Sequence, residues 1–214
     1  MIGDAGRDAM ARLAVPVGDR DHVQGPATAS VTLVEYGDYE CPYCRVAVAI
    51  VKGLQRILPG ELRFVFRHFP LENLHPHARR AAEAAEAAAS QGKFFEMHAA
   101  LFEHQTALEE VDLVGYAAAL DLDLALFGAE LKADTHADRV REQFRGGVRS
   151  GVRGTPTFYL DDVRYDGVVG VRQLTATIRE SHPDLVDEGL DAVLQQRTIP
   201  RVLYERSPFR PSSG

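Results

Sequence analysis

From residue 31 onward the chain switches between two hydrophobic periods. Residues 31–36, VTLVEY, put apolar side chains on both faces of an extended segment, the pattern of a central strand covered on each side. Pro42 suits a first helical turn, and the residues after it set Val46, Ile50, Leu54 and Leu58 on one stripe until Pro59-Gly60 ends the helix. Residues 61–71, ELRFVFRHFPL, return to a period of two, with Leu62, Phe64, Phe66 and His68 on one face. The three elements form a β-α-β unit whose crossover is expected to be right-handed.

From about 76 to 151 the signal is helical. Residues 77–92 are rich in alanine and stop at Gly92, and residues 93–104 carry Phe94, Phe95, His98, Leu101 and Phe102 at helical spacing. Further helices are expected over 113–120, 124–132 and 137–148. Residues 155–160 and 163–167 then read as a hairpin across Asp161-Asp162, followed by a helix over 171–181. The fold class is therefore α/β, a mixed central sheet flanked by helices, with an all-helical insertion between a βαβ half and a ββα half. We expect an N-terminal arm over 1–25, one domain over 26–182, and a C-terminal extension over 183–214. That extension holds a short helix over about 185–197, then a stretch marked by Pro200, Pro208, Pro211, Arg201, Arg206 and Arg210. The stretch can pack on the domain, pack on a second subunit, or stay loose, so the sequence does not set the oligomeric state.

Composition narrows the function classes. With 214 residues, 45% of them hydrophobic, the chain can bury a core without covalent staples. Its two cysteines, Cys41 and Cys44, stand so close that a bridge between them closes a tiny loop and adds little stability. A formal net charge of −7 disfavours nucleic acid or an anionic membrane as a partner. The first residues include early acids, and the apolar stretch over 13–17 is broken by Pro16, which does not make a signal peptide. No run approaches the roughly 18 apolar residues of a membrane helix. The expectation is a soluble, cytoplasmic protein without membrane insertion.

The cysteine pair carries the chemistry. Three positions apart at a helix start, the two sulfurs lie near enough to bond reversibly. Cys41 is expected at the exposed end, where free backbone N–H groups favour thiolate, and is the candidate nucleophile. Cys44, one turn further in, is the candidate resolving thiol. A zinc site needs two more ligands, and there is no second cysteine pair. His75 and His77, in HPHA, read as a polar turn leading into a helix, and His68, His98 and His104 as packed or solvent-facing side chains. Glu35 interrupts an apolar strand on the face of Val31 and Leu33. Burial there raises its pKa and lets it take the proton from Cys44 as that thiol attacks. Pro156 follows Thr155 at a strand entrance, where the general statistics of X-Pro bonds, about 5–6% cis, favour trans.

Together, Glu35, CPYC at a helix start, a long helical insertion and GTPTF resemble the DsbA-like branch of the thioredoxin superfamily, over residues 22–182. The resemblance implies a thioredoxin-like fold and an enzyme, a thiol–disulfide oxidoreductase, with protein or peptide thiols and disulfides as partners and no metal or organic cofactor. It implies that Glu35 lies beneath the cysteines, that Pro156 is cis and packs against the disulfide, and that Thr155 offers its backbone to an extended substrate beside Pro42 and Tyr43. The Pro-Tyr dipeptide is similar to that of glutaredoxins, and Tyr43 cannot lend the positive charge of a protonated histidine to a Cys41 thiolate. An intermediate potential, on the order of −200 mV, follows, and one below about −280 mV would reject it. In a reducing cytosol the pair then rests as a dithiol and works as reductase or isomerase, with glutathione or a thioredoxin system as candidate electron donors. Two alternatives stand beside this reading. One is a glutaredoxin-like, glutathione-coupled reductase; the other is a redox-sensing or chaperone-like binding module using the helical insertion and the arginine-bearing tail.

Overall fold

Val31–Gly37 (β2) occupies the middle of a five-stranded sheet, as its two-sided apolar pattern requires. A computed structural model describes residues 11–185. All but the first residue of the helix expected from 185 to 197, and the arginine-bearing stretch after it, lie outside the described residues, as do positions 1–10 of the arm. The other strands are His22–Gln24 (β1), Leu62–His68 (β3), Thr157–Leu160 (β4) and Val163–Tyr165 (β5), in the order β1-β3-β2-β4-β5. β2 and β3 run parallel, and every other pair is antiparallel. The register sets Glu35 between Phe66 and Phe158.

Pro42–Ile57 (α1) joins β2 to β3, and its buried face runs through Cys44, Ala47, Ile50, Val51 and Leu54. Between β3 and β4 come Ala78–Ser90 (α2), Phe94–Glu103 (α3), Glu110–Ala119 (α4), Leu124–Lys132 (α5) and Ala137–Ser150 (α6), and Val171–Ser181 (α7) follows β5. The small side chains of α2 let it sit at the centre of the helical block, where its alanines are buried almost throughout. One face of the sheet, with Leu33, Phe64, Phe66 and Phe158, shares a core with α1, α3 and α7. The other, with Val34, Tyr36, Val65 and Tyr159, packs on Phe144 of α6 and on Leu13 and Val17. The β4–β5 hairpin turns through Asp161 and Asp162 at φ +46° and +75°, the left-handed pair of a two-residue turn that aspartate tolerates.

Part of the segment expected as an arm, residues 11–25, is tied to the domain. Residues 22–24 pair with β3, a strand too short and too evenly mixed in polarity to announce itself. The preceding segment is held by Arg67, which is 3% exposed. Its guanidinium donates to both Asp21 carboxylate oxygens at 2.8 Å, to the carbonyls of Val15 (2.8 Å) and Pro16 (3.0 Å), and to the Tyr36 hydroxyl at 3.1 Å. Burial pushes the Asp21 carboxyl up, but its bonds to Arg67 and to the Gly18 N–H, with the charge of Arg139, together outweigh this, and its net shift is downward. Among the described residues no helix is long and apolar enough to cross a membrane.

Candidate active site

At the C-terminal end of β2 the backbone passes close to the Phe66 ring, and Gly37 permits it: a Cβ there would lie 2.4 Å from that ring. The loop of Asp38, Tyr39 and Glu40 then delivers Cys41 as the N-cap of α1, with Pro42 in the first turn. The Cys41 carbonyl accepts from the N–H of Cys44 at 3.1 Å and of Arg45 at 3.3 Å, which starts the helix. Both cysteines are free thiols.

Cys41 does not stand at an exposed helix end as expected; it is only 4% exposed. Its thiol donates to the Thr155 carbonyl at 3.3 Å, so the loop before β4 covers the sulfur. Gln105, beyond α3, donates to the carbonyls of Tyr39 (2.8 Å) and Cys41 (2.7 Å) and covers the loop from the other side. Pro42 and Tyr43 are the exposed members of the motif. A hydrogen bond from the Cys44 thiol lowers the Cys41 thiol to about 6, against the effect of burial, with help from Thr155 and the backbone N–H groups of Cys44 and Tyr43. The Thr155 hydroxyl is buried and makes no hydrogen bond of its own here, which leaves it able to donate to a Cys41 thiolate. The Thr155–Pro156 peptide is cis.

Cys44 is fully buried, and burial, then the Cys41 sulfur, then Glu35 push its thiol well above the ordinary range. One group works the other way, the Asp38 N–H, which donates to the Cys44 Sγ at 3.4 Å. Glu35 is 2% exposed, its Oε1 has no hydrogen-bond partner, and burial foremost, with the Cys41 charge second, raises its carboxyl to about 8. It borders a cavity of about 60 Å³ that Gln24, Lys52, Gln55 and His98 also line, enough room for a water molecule or two. The two cysteines, Thr155 and Glu35 thus come together around the N-terminus of α1, as the causes of their pKa shifts require.

The histidines are partners of acids or aromatic rings. His68 is buried and shares Glu86 with His22, at 3.1 and 3.0 Å. His98 is buried, meets the Tyr39 hydroxyl through Nδ1 at 3.2 Å, and is driven down to about 3, foremost by burial. His104 stacks on Tyr116. His77 sits between Glu40 (3.0 Å) and Glu109 (3.1 Å), and His75 meets Asp38 at 2.8 Å. Among the described residues no group of three or more His, Cys, Asp or Glu side chains is arranged to hold a metal ion. The sequence reading missed Asp38, Gln105 and Tyr39. Asp38 had a weak signal, a lone acid between a strand and a helix start; Gln105 had none.

The profile of a family described as thioredoxin matches residues 18–180. A thioredoxin-like oxidoreductase from Silicibacter pomeroyi DSS-3 superposes with a TM-score of 0.69 at 30% identity, covering 84% of this chain and 99% of that one. BdbD from Bacillus subtilis, in its oxidised form, gives 0.66 at 26% identity, covering 74% and 90%. In sequence, the chain is 48% identical over 167 residues to Na(+)/H(+) antiporter NhaA 1 of Salinispora arenicola, a match over 78% of this chain and 26% of that protein. The chain spans about a quarter of the length of the curated relatives it matches.

Proposed function

The chain belongs to the thioredoxin family, with DsbA-like thiol–disulfide oxidoreductases among its structural neighbours, and from that membership we propose that it exchanges disulfides with protein substrates through Cys41 and Cys44. The observation that carries the proposal is the asymmetry of the pair: a Cys41 thiol lowered to about 6 beside a Cys44 thiol pushed well above the ordinary range. The Cys41 thiolate attacks a substrate disulfide, forming a mixed disulfide and releasing one substrate thiolate. Cys44 then loses its proton to the Glu35 carboxylate and attacks the Cys41 sulfur, closing the Cys41–Cys44 bond as the second substrate sulfur leaves with the electron pair. Thr155 and Pro156 hold the substrate backbone beside Pro42 and Tyr43.

The direction is that of a reductase or isomerase in a reducing compartment. A Cys41 pKa of about 6 falls between the ~3.5 of the strongest dithiol oxidants and the ~7 of thioredoxin. This supports a potential on the order of −200 mV. The antiport named for the longer relatives is not carried over to this chain. Insulin reduction and mixed-disulfide trapping test the assignment: Cys44→Ser should accumulate a mixed disulfide on Cys41, and Cys41→Ser should abolish both. Insulin reduction that survives Cys41→Ser unchanged refutes it. Titration of the couple in glutathione buffers tests the direction, and a potential below about −280 mV overturns the intermediate value.

A further inference from the structure

Asp38 has no part in the exchange steps above, yet its backbone touches both cysteines. Its N–H donates to the Cys44 Sγ at 3.4 Å, and its carbonyl accepts the Cys41 N–H at 3.2 Å. Its side chain is fully buried. The carboxylate accepts the Glu40 N–H at Oδ1 (2.8 Å), and the Leu71 N–H and His75 Nδ1 at Oδ2 (2.8 Å each). A carboxylate can only accept, so His75 carries its proton on Nδ1. These donors come from the motif loop itself, from the segment after β3, and from the turn before α2. A buried carboxylate tethered at three points cannot rotate without leaving donors unpaired, so the backbone of residue 38 is fixed with it.

That orientation matters most when Cys44 carries charge. Its sulfur is fully buried, and a thiolate forming there depends on fixed donors instead of solvent. We infer that Asp38 and His75 are a positioning pair: His75 holds the carboxylate, and the carboxylate holds the loop so that the Asp38 N–H points at the Cys44 sulfur during resolution. The inference rests on the exchange chemistry proposed above. In the step it serves, the Cys44 proton passes to Glu35, the Cys44–Cys41 sulfur bond forms, the Cys41–substrate sulfur bond breaks, and the substrate sulfur leaves as thiolate.

The test separates the two halves of the cycle in His75→Ala. Cys41 alkylation by iodoacetamide reads the first thiol, and the rate at which a preformed mixed disulfide on Cys41 releases its peptide thiol reads resolution. We expect release to slow about tenfold, the scale of one weakened hydrogen bond to a charged group, with Cys41 alkylation unchanged. His75→Asn, whose amide N–H can replace Nδ1–H, should restore the release rate. If His75→Ala does not fold, Asp38→Asn, with one acceptor oxygen for three donors, is read by the same split. Unchanged release in a folded variant overturns the inference, as does equal slowing of both steps without rescue by asparagine. A wild-type protein that forms no mixed disulfide refutes the exchange reading itself, a different result from either.

Discussion

Replacing Glu35 by glutamine tests the buried carboxyl without changing its shape. Burial raises Glu35 from its ordinary 4.5 to about 8. Between those two values the folded protein holds a proton that the unfolded chain has released, so unfolding free energy falls as pH rises. The slope is about 1.4 kcal/mol per pH unit, which accumulates to about 3 kcal/mol at pH 7 and about 5 kcal/mol above pH 8. Glutamine has no such proton at any pH. It brings its own cost as a buried amide, but that cost does not vary with pH. The readout is therefore the difference in stability between Glu35→Gln and the wild type, from urea unfolding of the reduced proteins between about pH 5 and 8. The contributions of titrating groups that do not interact with Glu35 cancel in that difference. It should rise steadily in favour of the variant across the window and level off near pH 8. In a Cys41→Ser background the upper end should move down, because the Cys41 charge is the second cause of the shift, and the slope below it should stay. A difference that is flat with pH refutes the reasoning: Glu35 would then ionise in the fold as it does in water, and could not serve as a proton acceptor poised near neutral pH.

Three further outcomes follow from the same interactions. The alkylation rate of Cys41 should reach half its maximum near pH 6, and Thr155→Val should move that midpoint upward by removing the hydroxyl that favours thiolate; an unmoved midpoint would leave Thr155 with a backbone role alone. Asp21→Asn should lower stability by about 3 kcal/mol, because it leaves the Arg67 guanidinium buried without its carboxylate, and a loss under about 0.5 kcal/mol, the size of an exposed pair, would show that this pair does not anchor the N-terminal segment. Glu40 foremost raises the pKa of His77, so the stabilisation by His77 should be complete below its unfolded value near 6.5 and vanish as pH rises through its raised folded value. The His77 side chain is 37% exposed and screened by solvent, so His77→Gln should differ from the wild type by no more than about 0.5 kcal/mol on the acid side; a difference that grows toward alkaline pH contradicts the assignment.

The order of elements was legible because each rests on a local pattern. The apolar faces of β2 and β3, the alanines of α2, Pro42 at the start of α1 and the Asp161-Asp162 turn all act within a few residues. Glu35 was legible for the same reason: an acid in a strand apolar on both faces has only buried surroundings to point into. Both cysteines announced a helix-start pair by spacing alone. Their environment did not follow from spacing. Cys41 is covered because Thr155, 114 positions away, and Gln105, 64 away, converge on it. β1 went unread because its place is fixed by pairing with β3 and by Arg67, which gathers Asp21 from 46 positions away. Asp38 and His75 looked like loop polarity, and only their meeting across 37 positions gives one a partner and the other a direction.

The sequence by itself determined the strands and helices that carry their own hydrophobic period, and that two thiols stand one helical turn apart at a helix start. Periodicity and spacing encode those directly. The tertiary structure decided which thiol is lowered, which is raised, and which N–H faces the buried sulfur. Those depend on burial and on hydrogen bonds whose partners are distant in the chain, and the energy of a charge is set by what surrounds it in space.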